Sequence, residues 1–76
     1  MTIDAHLRAA ARRLTNSETP LLDARILLKH VLDTDDGGLI ARAGEKLSEA
    51  QEAAFLSLVA RRSEGEPVAY LTGTKE

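Results

Sequence analysis

The chain has no cysteine and no tryptophan, and a single phenylalanine and a single tyrosine. Without cysteine there are no disulfides and no thiolate metal sites, so helix packing alone must supply the stability of a small fold. With aromatics at 3%, the stacking platforms used to hold single-stranded nucleic acid are missing. There is no basic excess either: 10 Lys and Arg stand against 12 Asp and Glu, a formal charge of −2. Non-specific nucleic-acid binding wants the opposite balance. No apolar run approaches the roughly 18 residues of a membrane-spanning helix, and Met-Thr-Ile-Asp at the start lacks a basic-then-apolar signal pattern. A cytoplasmic location is therefore expected. At 76 residues the chain is too short for a doubly wound sheet or a catalytic barrel. Its 43% hydrophobic and 29% charged residues fit one globular domain, with an expected radius of gyration of roughly 11 Å.

The hydrophobic pattern is helical throughout. Ile3, Leu7, Ala10, Ala11 and Leu14 form one stripe, with Thr2 as cap, Asp4 in the first turn and Arg12-Arg13 in the last. After the polar stretch Thr15–Glu18, Thr19-Pro20 predicts a second helix start, a capping hydroxyl followed by proline at the first helical position. Leu21, Leu22, Ala24, Ile26, Leu27, Leu28, Val31 and Leu32 make that helix apolar over more than half its circumference, so it is predicted to be the centre of a bundle. Asp33-Thr34-Asp35-Asp36-Gly37-Gly38 is expected to be loop and cap, without the ligand spacing of a calcium loop. Leu39–Ala43 predicts a short helical piece.

Ser48 with Gln51 three residues on predicts a capping box, opening a helix that carries Ala54, Phe55, Leu58, Val59 and Arg62 on one side and runs to about Ser63. Gly65 suits a left-handed helix stop. Glu66-Pro67 starts a last short turn, Val68–Leu71, closed by Gly73, and only Thr72–Glu76 has any strand character. The fold class predicted is an all-α bundle of about five helices, two of them short, with a linker hairpin starting at its end.

No constellation for catalysis stands out. His6 and His30 belong to different helices with no carboxylate at ligand spacing, which favours structural or surface roles. Phosphate-cradling glycine loops and nucleophile elbows do not occur. Two arginine pairs, Arg12-Arg13 and Arg61-Arg62, lie near helix C-termini, where they either complement the helix dipole or form a docking surface for an acidic or phosphorylated partner.

The last segment is more specific. Arg61, Arg62, Gly65, Pro67, Tyr70 and Gly73 resemble the arginine pair followed by Gly-x-Pro-x-x-Tyr-x-x-Gly that closes the N-terminal domain of the HemK/PrmC family of protein-(glutamine-N5) methyltransferases. Leu22, Asp23, Ala24, Leu27 and Leu28 after Thr19-Pro20, and the Leu47-Ser48 helix entry, resemble the same family upstream. The resemblance implies a five-helix N-terminal bundle over 1–72, with 73–76 beginning a linker to a separate catalytic domain. It also implies a parent enzyme that uses S-adenosylmethionine to methylate the glutamine of a class-1 peptide chain release factor. This stretch itself is expected to carry neither catalytic nor cofactor-binding nor metal-binding residues. Its expected partners are the release factor and its own C-terminal catalytic domain, with no membrane and no direct nucleic acid.

Arg61, Arg62, Glu66, Pro67, Tyr70 and Gly73 are the candidate substrate or interdomain contacts. Tyr70 is expected to pack its ring into the bundle with its hydroxyl partnered, the alternative being a place at the hinge or substrate surface. A free-standing helical adaptor is the competing function. A helix-turn-helix DNA binder fits poorly, because the second helix carries only Arg25, Lys29 and His30 as cations.

Overall fold

In the computed structural model, which describes residues 1–73, the predicted helical stripes become five helices. They are α1 (Ile3–Arg13), α2 (Pro20–Leu32), α3 (Asp36–Ala41), α4 (Glu49–Ser63) and α5 (Val68–Thr72). The bundle has a radius of gyration of 11.3 Å, close to the sequence expectation. Among the described residues no strand forms; one isolated antiparallel bridge joins Thr2 to Lys46. It belongs to a clasp in which the Ile3 and Asp4 amides donate to Glu45 O (2.7 Å) and Ala43 O (3.1 Å). Two of the amides that a helix start leaves without intrahelical partners are thereby satisfied. The stretch 74–76, where a hairpin is expected to begin, lies outside the described residues.

The starts and stops reflect local chemistry. Thr2 Oγ1 accepts from Ala5 N (3.1 Å), and at α4 Ser48 and Gln51 form the reciprocal capping box. α4 ends as a Schellman motif: Gly65 N donates to Arg62 O and Glu66 N to Arg61 O, with Gly65 at φ +107°, a conformation L side chains rarely adopt. Asp33 ends α2 in the left-handed region at φ +53°, where glycine is the usual occupant. Pro67 is the N-cap of α5 rather than its first helical residue.

The core comprises Ile3, Leu7, Ala10, Leu14, Ala24, Leu27, Leu28, Leu39, Phe55, Val59 and Leu71. α2 packs against each of the other four helices, which is the central position its composition predicts. Its apolarity overstates its burial, however. Leu21 and Leu22 are 41% and 49% exposed: Leu22 lies on the Ile26 side, away from Ala24 and Leu28, and Leu21 sits in the first turn at the rim of the core. Ala54, expected on the buried side of α4, is also exposed.

Three local expectations are corrected. The Thr19 hydroxyl does not cap α2, because its backbone (φ −133°, ψ 64°) leaves the extended region that aims a cap; it donates to Asp23 Oδ1 instead (3.4 Å). Gly37 and Gly38 are not loop but the first turn of α3, capped by Asp35, whose Oδ1 accepts from Gly38 N (2.9 Å). Gly38 is required by close approach, since a Cβ there would collide with the Thr34 hydroxyl. Thr72 is helical, not extended.

Candidate functional site

The candidate contact residues fall in one continuous turn and helix, from the last turn of α4 to the end of α5. The two arginines of the pair are adjacent in sequence but are used on opposite sides. Arg61 is exposed and forks onto Glu66: Nε donates to Oε2 at 3.0 Å and Nη2 to Oε1 at 2.8 Å. This bidentate bond raises the Arg61 pKa and lowers that of Glu66 below the usual glutamate range. Because both groups face solvent, the pair contributes little to stability.

Arg62 points inward. Its Nε donates to Asp23 Oδ2 (3.1 Å), with side chains only 18% and 11% exposed, and its Nη1 reaches Glu66 O at 3.5 Å. Asp23 Oδ2 also accepts from Ser17 Oγ (2.6 Å), and Asn16 Nδ2 donates to Arg62 O (3.1 Å). The α1–α2 loop, the first turn of α2 and the end of α4 are therefore joined in one polar network, and no buried side-chain polar atom among the described residues lacks a partner. Sequence reasoning does not pick out Asp23, Ser17 or Asn16 as residues of this site. Asp23 does leave a signal: it stands four residues before Leu27, an acid on the apolar stripe of α2.

Pro67 caps α5, with its carbonyl accepting from the amides of Tyr70 (3.1 Å) and Leu71 (3.3 Å). Leu71 enters the core and Val68 packs against it. Tyr70, expected to pack inward, is instead 80% exposed, because Leu71 holds the core-facing position of so short a helix. Gly73 ends α5 at φ +68°. Residues 61–73 thus present Arg61, Pro67, Tyr70 and Gly73 outward on an edge pinned from behind by Arg62 and Leu71.

Elsewhere, His6 is buried, its ring set edge-on to Phe55 at 6.1 Å, and its Nε2 lies 3.2 Å from Glu52 Oε2. α4 supplies in space the carboxylate that sequence spacing does not show. His30 is exposed on the last turn of α2. Among the described residues no group of three or more His, Cys, Asp or Glu could hold a metal ion, and no helix is long and apolar enough to cross a membrane. One surface cleft of about 180 Å³ is lined by Asp4, Leu7, Arg25, Asp36, Leu39, Ile40 and Ala43, and another of about 270 Å³ runs along α1 from Met1 to Arg12. Both are smaller than the ~300–1,000 Å³ of typical small-molecule sites.

By fold, the protein is a compact five-helix all-α domain whose last helix and preceding turn form a pinned, outward-facing edge. The PrmC N-terminal domain matches residues 5–73, and the chain belongs to that family. It is similar to a release factor glutamine methyltransferase of Burkholderia pseudomallei, 51% identical over 67 residues that cover 88% of this chain and 24% of that protein. A second one, from Vibrio cholerae, is 40% identical over 78 residues, covering 100% of this chain and 27% of the relative. A bifunctional methyltransferase of Rickettsia typhi is 51% identical over 57 residues, 75% of this chain and 11% of its own length. Across such curated relatives the match spans 11 to 28% of their length. No solved structure matches the chain.

Proposed function

We propose that this chain is the substrate-docking domain of a release factor glutamine N5-methyltransferase, with methyl transfer performed by a separate catalytic domain. The supporting observation is the family match over residues 5–73, joined to an outward edge rigidly tied to the bundle. In this reading residues 1–72 dock a class-1 release factor and 73–76 begin the linker. S-adenosylmethionine is held by the catalytic domain, and the enzyme works in the cytoplasm.

Presenting one glutamine of a large protein to a methyl donor is chiefly a problem of orientation. Contacts remote from the reacting atoms can supply it by raising effective molarity. The side chains best placed for contact are those the fold leaves outward: Arg61 with Glu66, Pro67, Tyr70 and Gly73. Arg62, occupied by Asp23, supports them from behind.

The test is methyl transfer from labelled S-adenosylmethionine to a release factor by a full-length enzyme carrying this domain. Arg61→Ala with Tyr70→Ala is expected to raise KM for the release factor several-fold with little change in kcat. An unchanged KM would remove the edge from the docking surface. No transfer to the release factor at all would favour a helical interaction module unconnected with methylation.

A further inference from the structure

We infer that Asp23 and Arg62 are positioning residues: together they latch the turn 63–66 to the bundle and so fix the direction in which the chain runs through α5 to Gly73. This rests on the docking reading above. A carboxylate as buried as Asp23 is costly to hold and gives little net stability when paired. Its use must be sought in geometry, and the geometry is specific. Asp23 receives three donors from three places: Arg62 at the end of α4, Ser17 in the α1–α2 loop, and Thr19 at the start of α2. The held arginine is itself tied at both ends of its own turn, with Arg62 O accepting from Asn16 and Arg62 Nη1 reaching Glu66 O. Arg61 closes the outer side of the same turn onto the Glu66 side chain. The segment that leads out of α4 is thus bound from inside and outside.

Beyond the turn, the chain packs on α2 and α4. α5 is five residues long, has no side-chain cap, and anchors through Leu71 and Val68. A helix that short does not hold a direction unaided. Tyr70 projects from it into solvent, so the orientation of whatever the edge binds is set through the latch. Misplacement of a bound substrate by about 1 Å can cost on the order of 100-fold in rate even when its contacts survive. Loosening the latch therefore affects turnover, whereas removing the outward side chains affects binding.

The experiment uses the full-length enzyme with three variants, Asp23→Asn, Asp23→Glu and Asn16→Ala, the last removing an exposed side chain outside the core. Asp23→Asn is expected to lower kcat on the release factor about tenfold with KM unchanged, Asn16→Ala about threefold with the same split, and Asp23→Glu to recover part of the loss. In parallel, amide exchange at Tyr70 and Leu71 is expected to quicken in Asp23→Asn while Phe55 and Val59 stay protected. A raised KM at constant kcat would make the network part of the contact surface and overturn the inference. Unchanged exchange at Tyr70 and Leu71 would overturn it whatever the enzyme acts on. If the wild-type enzyme transfers no methyl group to a release factor, the docking reading fails, and the exchange comparison alone decides the latch.

Discussion

Truncating Phe55 to alanine should bring this chain to the edge of unfolding. Phe55 is fully buried at the meeting of α4 with α1, and no other aromatic ring shares the core except the imidazole of His6, set edge-on to it. Phe→Ala in a core typically costs about 3–5 kcal/mol, and loss of an edge-to-face partner adds about 0.5–1.5 kcal/mol where that contact is intact. Against this, a chain of this size without disulfides has only about 3–5 kcal/mol of net stability from its single core. Phe55→Ala is therefore expected to show no cooperative melt by circular dichroism at 222 nm, or one barely above room temperature. Phe55→Leu, which keeps most of the volume and loses the ring contact, should cost about 1–1.5 kcal/mol. At 4–8 °C per kcal/mol for a domain of this length, that is a fall in Tm of roughly 4–12 °C. A Phe55→Ala protein that melts cooperatively within about 5 °C of wild type would refute the idea that this ring organises the core.

Ser48→Ala removes the hydroxyl half of the capping box and should destabilise by about 1 kcal/mol in urea unfolding, with an unchanged m-value. Asp33→Gly should stabilise by about 0.5–1 kcal/mol, because the left-handed backbone at φ +53° is strained for aspartate; a destabilised variant would show that the Asp33 side chain does more than cap α2. Glu66 should titrate below the usual glutamate range in a carboxyl NMR titration, and Arg61→Ala should raise it back toward that range. Since its folded pKa is the lowered one, the small contribution of the pair is present above the unfolded glutamate pKa and is lost as pH falls through the folded value. A Glu66 curve unchanged by Arg61→Ala would count against the bidentate pair.

Most of the fold is legible in the sequence because it depends on short-range chemistry. The α1 stripe, the Ser48–Gln51 box and the Gly65 stop are each written within a few residues, and each appears where spacing places it. The failures share one cause, contacts that spacing along the chain does not display. Leu21 and Leu22 look like core because composition cannot show which turn of a nearly all-apolar helix reaches past its neighbours. The glycine pair looks like a loop because composition does not show that the Thr34 side chain, four residues earlier, closes over Gly38 and crowds out a Cβ. Arg62 and Asp23 stand 39 residues apart, so neither announces the other. As for the candidate site, sequence locates the segment 61–73 but not its sides: which arginine faces in, and that Tyr70 faces out, are set by α2.

The latch also bears on how this domain is inherited. The side-chain bonds of the latch run between residues 16 and 66 of this chain. A unit that carries its own exit geometry can be joined to a new body without the joint being redesigned. A similar stretch indeed occurs within a bifunctional methyltransferase, where it accounts for 11% of the length, as well as within release factor methyltransferases of which it forms about a quarter. Among these longer chains of different size, the stretch that recurs is the one in which residues 16 to 66 hold the latch.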